Sequence, residues 1–162
     1  MLKLKPLRQT SGFCGPAALK IVLDYYGFKI SEARLAKIIM AKRKTGTKPR
    51  QMTEGLKFLG YHGFWKENGK IKDLEYFIKL GLPIIVNWFS CLEGHYSVVV
   101  GLEKGNIVLM DPEIAKARKV PVKVFEKIWW DFERPYAKKW HFKWFLVPTL
   151  KKKAFKIEGN YF

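Results

Sequence analysis

Cysteine is scarce in this chain of 162 residues, and long apolar runs are missing. The two cysteines are Cys14 and Cys91, and nothing marks secretion, so we expect free thiols rather than a disulfide scaffold. No stretch approaches the ~18 continuous apolar residues of a membrane helix. The opening MLKLKPLRQ also lacks the apolar segment of a signal peptide. These absences predict a soluble, cytoplasmic protein with no transmembrane segment.

Acidic residues are few as well. The chain has 14 Asp and Glu against 31 Lys and Arg, which gives a formal net charge of +17. Such an excess attracts anionic partners, and it could bind nucleic acid without sequence specificity. The lysines are scattered along most segments, however, as on a solvated surface. We therefore interpret the charge as a surface property rather than as a dedicated nucleic-acid face.

The pattern of apolar residues predicts one α+β domain over residues 1–162, with N-terminal helices packed on a C-terminal antiparallel sheet. No low-complexity tract or internal repeat interrupts the chain. A basic tail follows at residues 149–162. The predicted helices cover residues 15–26, 31–40, 52–59, 72–80 and about 122–130. The predicted strands cover residues 83–89, 95–101, 106–111 and 140–148, with a shorter one around residues 64–65.

Cys14 lies where the loop QTSGF gives way to the helical segment GPAALK. Its sulfur is therefore expected at a helix N-terminus, where the dipole and the unpaired N–H groups stabilise a thiolate. Pro16 suits the first turn of that helix, and Gly15 is expected to leave room beside the sulfur for a substrate backbone. Taken alone, a cysteine at this place is as often a small buried apolar residue.

His95 and Asp111 stand at corresponding ends of two neighbouring predicted strands. A three-residue turn at residues 102–104 would place Asp111 directly opposite His95. A two-residue Lys104–Gly105 turn would instead place Asp111 opposite Val98, on the wrong face. We therefore predict the three-residue turn. An aspartate in this position would orient the imidazole, and the second ring nitrogen would remain for a thiolate.

These segments resemble the motifs of the C39 peptidase family, the papain-like cysteine peptidases best known from bacteriocin-exporting transporters that trim double-glycine leader peptides. The motifs are Gln9, Cys14-Gly15-Pro16-Ala17, Gly94-His95-Tyr96 and Asp111-Pro112. The resemblance runs from about residue 7 to residue 148. It implies a papain-like cysteine peptidase fold and places the chain with the stand-alone members, which lack transporter domains.

The resemblance also implies the roles of the site residues. Cys14 is expected as nucleophile, His95 as general base and acid, and Asp111 as the residue that orients His95. Gln9 is expected to donate to the oxyanion beside the Cys14 backbone N–H, although the family's glutamine usually stands one place earlier, at Arg8. The expected substrate is a peptide or protein cleaved through a thioester intermediate, with no cofactor and no metal.

Several alternatives remain open at this point. The chain could be an inactive C39-like module that binds peptides without cleaving them, or a papain-like acyl transferase. Cys91 and His95 have the spacing of a metal pair, but no second pair completes a zinc site. His62 and His141 lie among aromatic residues and are interpreted as packing or surface residues.

The tryptophans near the C-terminal end suggest a second alternative, because they interleave with lysines as in a surface on which nucleic-acid bases stack. Trp140, Phe142, Trp144 and Leu146 also alternate like the inner face of a strand, and we predict that they belong to the core.

Overall fold

The computed structural model describes residues 1–90 and 93–162 of the chain. Within these residues, the helices are α1 (Cys14–Tyr25), α2 (Glu32–Ile38), α3 (Pro49–Phe58), α4 (Ile71–Lys79) and α5 (Val122–Ile128). The strands are β1 (His62–Lys66), β2 (Ile84–Ser90), β3 (Glu93–Glu103), β4 (Asn106–Asp111), β5 (Lys116–Pro121), β6 (Trp130–Phe132), β7 (Trp140–Phe142), β8 (Phe145–Thr149) and β9 (Asn160–Tyr161).

A seven-stranded antiparallel sheet with the order β5-β4-β3-β2-β8-β1-β9 forms the centre of the molecule. Helices α1, α2 and α3 pack on one face of this sheet, where Tyr96, Val98 and Leu146 belong to the same apolar cluster. Helices α4 and α5 cover the other face. The predicted α+β class is confirmed, and helices cover both faces of the sheet.

The helix boundaries follow from signals visible in the sequence. Helix α1 buries its apolar residues, and it is followed by Gly27, whose φ of +82° suits the position after a helix end. Ser31 caps α2, because its side chain accepts a hydrogen bond from the backbone N–H of Arg34. Helix α3 begins at Pro49, three residues before the predicted start, since proline fits the first helical turn.

The predicted strand over residues 140–148 is wrong as a single element. Lys143 has a φ of +50°, which breaks the strand into β7 and β8. Trp144 and Leu146 are buried as expected, but Trp140 is 46% exposed and Phe142 is 54% exposed. Strand β7 pairs with β6 in a separate two-stranded sheet, so its outer side chains never reach the core.

The predicted three-residue turn between β3 and β4 is also wrong. Glu103 pairs with Asn106, so the turn is the two-residue Lys104–Gly105. Both turn residues have positive φ, +48° and +77°, as a type I′ turn requires. The ladder then shifts register between Val99 and Gly101. This β-bulge moves every later residue by one place and returns Asp111 to the face that carries His95.

The C-terminal residues return to the sheet. Strand β9 pairs with β1, and Phe155 and Ile157 pack against the apolar cluster beneath α4 and α5. Over the part of the chain that the structure describes, no helix combines the length and the apolar character needed to cross a membrane.

Candidate active site

Cys14 is the first residue of α1, and it carries a free, half-buried thiol at the wall of a cleft. The preceding residue, Phe13, caps the helix without a side-chain hydrogen bond. The positive end of the helix dipole is therefore available to an anion beside the sulfur. The expected position of Cys14 at a helix start is confirmed.

The expected role of Gly15 is wrong. A Cβ atom at this position would lie 2.7 Å from both Cβ and Oγ1 of Thr47. The space beside Gly15 is thus filled by the Thr47 side chain rather than left for a substrate. Glycine is required here because the start of α1 packs closely against the segment that leads into α3.

His95 and Asp111 form a buried pair at the same cleft. The distance between Nε2 of His95 and Oδ1 of Asp111 is 2.7 Å, and both side chains are almost inaccessible to solvent. Asp111 also accepts the backbone N–H of Glu113 at 2.9 Å and Nε of Arg118 at 2.7 Å. Three donors therefore hold the Asp111 carboxylate. Because His95 contacts Asp111 through Nε2, its Nδ1 atom remains available for an interaction with Cys14.

Electrostatics favour a positive charge on His95. Burial alone would lower the pKa of His95, but the hydrogen bonds to Asp111 and to the Cys14 thiol outweigh burial and raise this pKa to about 10. Burial opposes the charged form of Asp111 as well and on its own would raise the pKa of this carboxyl. The contacts with His95, the Glu113 N–H and Arg118 outweigh burial, so the pKa of Asp111 lies below its usual value. At neutral pH the pair is thus an imidazolium on a carboxylate.

Gln9 reaches the cleft, while Arg8 does not. The backbone N–H of Gln9 donates to the carbonyl of Pro112 at 2.9 Å, and the side chain lines the cleft with Cys14. The Oε1 atom of Gln9 is buried without a hydrogen bond from the described residues. Arg8 instead binds the carbonyl of Glu113 at 2.8 Å. The residue one place nearer to the cysteine is therefore the one that lines the cleft beside Cys14.

The same residues could be considered as metal ligands. Ligand atoms of His95, Asp111 and Glu113 lie within 4.8 Å of one another. The Nε2 atom of His95 is bonded to Asp111, however, and the guanidinium of Arg118 contacts the second Asp111 oxygen. A fixed positive charge at this point opposes a cation, so the geometry favours an oriented histidine. The Cys91–His95 pair considered from its spacing includes Cys91, which lies outside the described residues.

Sequence reasoning missed the polar inner face of the β6–β7 hairpin. Asp131 and His141 are register partners on this hairpin and line the cleft. His141 is buried, with Nδ1 at 2.6 Å from Glu67 and Nε2 at 3.2 Å from Glu133. Both ring nitrogens thus contact carboxylates, and the side chain is held by polar contacts rather than by aromatic packing. The available signal was period-two alternation, since Asp131 and His141 each stand between two aromatic residues. His62 is half-buried on β1.

Comparison with known proteins identifies a family whose model matches most of this chain. The model of the peptidase C39 family matches residues 6–132. No curated protein matches the chain significantly.

Solved structures share the fold. The peptidase domain of Streptococcus ComA, a bi-functional ABC transporter of a quorum-sensing pathway, superposes with a TM-score of 0.72 at 23% identity, covering 91% of this chain and 98% of that domain. A C39-like peptidase from Bacillus anthracis gives 0.67 at 14% identity, over 93% and 100%. A double-glycine-motif protease from an AMS/PCAT transporter, solved with its leader peptide, gives 0.65 at 18%, over 90% and 91%.

Proposed function

This chain belongs to the peptidase C39 family, and from that membership we propose that it is a cysteine peptidase in which Cys14 attacks the carbonyl carbon of a peptide bond. The observation that carries the proposal is the His95 imidazole, which contacts the Asp111 carboxylate through Nε2 and lines the same cleft as Cys14. Nucleophile, base and orienting acid are the three parts that this chemistry needs.

The proposed reaction has two halves. The Cys14 thiolate adds to the carbonyl carbon, His95 gives its proton to the leaving amine, and the C–N bond breaks to leave a thioester on Cys14. Water then attacks the thioester while His95 accepts a proton from it. The C–S bond breaks to release the carboxylic acid, which loses its proton to water, and the Cys14 thiolate and the His95 imidazolium are restored.

Two further groups would stabilise the charge that develops on the carbonyl oxygen. The backbone N–H of Cys14, at the open end of α1, is one donor, and the Gln9 side-chain amide is the other. Asp111 would remain ionised throughout and support the imidazolium. The substrate is a peptide or protein, a class supported by the leader peptide bound to the relative from an AMS/PCAT transporter.

Alkylation of Cys14 tests the catalytic pair. In a Cys91→Ser background, iodoacetamide should label Cys14 at pH 6 at least tenfold faster than it labels a free peptide thiol, because thiolate is the reactive form. His95→Ala should remove this advantage. Labelling at the rate of an ordinary thiol, unaffected by His95→Ala, would exclude the pair.

Cleavage is tested with a peptide library. Wild type should cut a defined subset of peptides, and Cys14→Ala should cut none. Peptides that bind both proteins without being cut would support the inactive binding module instead. Products joined to an added amine would indicate an acyl transferase, since the thioester can pass its acyl group to an amine in place of water.

A further inference from the structure

Asp131 has an unusual position on the wall of the cleft. It lies on the inner face of the β6–β7 hairpin, opposite His141, and lines the cleft that also holds Cys14 and His95. Its carboxylate fills the space directly over Gly94, where a Cβ atom would overlap it. The carboxylate is thus held against the residue that immediately precedes the proposed general base.

Asp131 differs from the other acids of the cleft in having no cation bound to it. The three other acids each form an ion pair: Glu133 with Lys48 at 3.0 Å, Glu93 with Arg134 at 3.5 Å, and Glu113 with Arg118 at 3.5 Å. Among the described residues, Asp131 forms no ion pair. Its Oδ1 atom accepts the backbone N–H of Phe132 at 2.7 Å, and Oδ2 has no hydrogen bond from the described part of the chain.

This isolation is notable in a chain with 31 basic residues. Burial raises the pKa of Asp131 to about 6, and the basic side chains that lower it, those of Arg134, His141 and His95, act only over a distance. The carboxylate is therefore ionised at neutral pH, and no cation of the described residues is close enough to neutralise its charge. A carboxylate in that state gains most from a cation brought by a ligand.

We propose that Asp131 is a specificity residue of the cleft that binds a Lys or Arg side chain of the substrate beside the scissile bond. The inference rests on the proposed peptidase function, because the cleft is the substrate site only if Cys14 is the nucleophile. The ammonium or guanidinium would donate to Oδ2, the oxygen that accepts no hydrogen bond from the described residues. Lining acids already bound to a cation offer no such acceptor.

The test compares matched substrates. Peptides that wild type cleaves are made in pairs with either lysine or norleucine, which have similar length but differ in charge, at each position on both sides of the scissile bond. At one position, wild type should prefer lysine by about tenfold in kcat/KM, the range of one hydrogen bond to a charged group. In Asp131→Asn the lysine-to-norleucine ratio should fall to about one, and Asp131→Lys should favour glutamate there.

Glu93→Gln is the matched control. It neutralises a second acid of the same cleft, but one already paired with Arg134, and it should leave the lysine-to-norleucine ratio as in wild type. An unchanged ratio in Asp131→Asn, or an equal fall in Glu93→Gln, would overturn the assignment of the cation to Asp131.

Failure of the proposed function gives a different result. If wild type cleaves no peptide, the same library is selected for binding to Cys14→Ala and to the double variant Cys14→Ala/Asp131→Asn. Enrichment of lysine- and arginine-containing peptides on the first protein alone would uphold the role of Asp131. Equal enrichment on both proteins would overturn it.

Discussion

At the scale of single residues, Asp111 shows why this site uses aspartate. An asparagine, which serves in many papain-like peptidases, could still accept from His95 through its oxygen. Its amide NH₂ would then face Nε of Arg118, which now donates to Oδ2 at 2.7 Å. Two donors would meet without an acceptor in a buried place, so the presence of Arg118 favours a carboxylate.

Asp131 illustrates a cost in stability that a specificity residue can carry. Its pKa is raised to about 6 by burial, above the usual value of 3.8, so the folded state binds the proton more tightly than the unfolded state. The stabilising contribution of this proton is fully present below pH 3.8 and is lost as the pH rises through about 6. At neutral pH the ionised group therefore destabilises the fold.

Asp131→Asn should accordingly raise the free energy of unfolding at pH 8 by about 1–3 kcal/mol, because the amide oxygen can still accept from the Phe132 N–H. The gain should disappear at pH 4. Urea denaturation at both pH values measures the difference, with Glu93→Gln as the exposed control. A variant less stable than wild type at pH 8 would mean that the carboxylate supports the hairpin.

At the scale of elements, the β3–β4 hairpin shows how much a one-residue irregularity can change. The alternation of apolar residues predicted both strands, but the face of Asp111 depends on the bulge between Val99 and Gly101 as well as on the turn. A bulge leaves no mark in the residue pattern, so the prediction assumed regular pairing along both strands. With regular pairing, only a three-residue turn brings Asp111 to the face of His95, and that turn is wrong. The contact was predicted from the sequence, while the route to it was not.

The turn itself can be tested. Lys104 and Gly105 both have positive φ, and a Cβ at Gly105 would meet nothing within 4 Å. Gly105→Ala should therefore cost about 1 kcal/mol for purely conformational reasons. At position 104, Asn should be tolerated and Val should destabilise, since asparagine adopts positive φ more readily than a β-branched residue. Equal stabilities for the two variants would contradict the type I′ turn.

The other elements also divide into those that the sequence pattern predicts and those that depend on tertiary structure. Helices α1 and α2 carry a clear period and a capping signal, and their ends were predicted to within two residues. Strand β5 reads KARKVP and is exposed at most positions, so it has no apolar alternation to detect. Strands β6 and β7 have alternation, but only the tertiary structure decides which of their two faces turns inward.

At the scale of the whole molecule, the candidate site combines segments that are far apart in the chain. Cys14, His95, Asp111 and Gln9 could be selected from local motifs and the family resemblance. Arg118, Asp131 and Thr47 could not, because Arg118 acts through Asp111 on the neighbouring strand and the other two act through residues distant in sequence. Local patterns identify the residues proposed for the chemistry, whereas tertiary packing decides which residues position them or contact the substrate.

The net charge of +17 is also a property of the whole molecule. Excess like charge repels itself in the compact state, and salt screens this repulsion. Exposed ion pairs weaken too, but each contributes little. Raising NaCl from about 20 to about 300 mM should thus raise the free energy of unfolding in urea, by on the order of 1 kcal/mol.

The exposed run of Lys151, Lys152 and Lys153 supplies the matched variant. None of the three forms an ion pair within the described residues, so replacing all of them by glutamine removes repulsion without breaking a contact. This variant should be more stable than wild type at low salt and should respond less steeply to NaCl. A stability that falls as salt is added to wild type would show instead that attraction between unlike charges, such as the Lys48–Glu133 pair, outweighs the excess of positive charge.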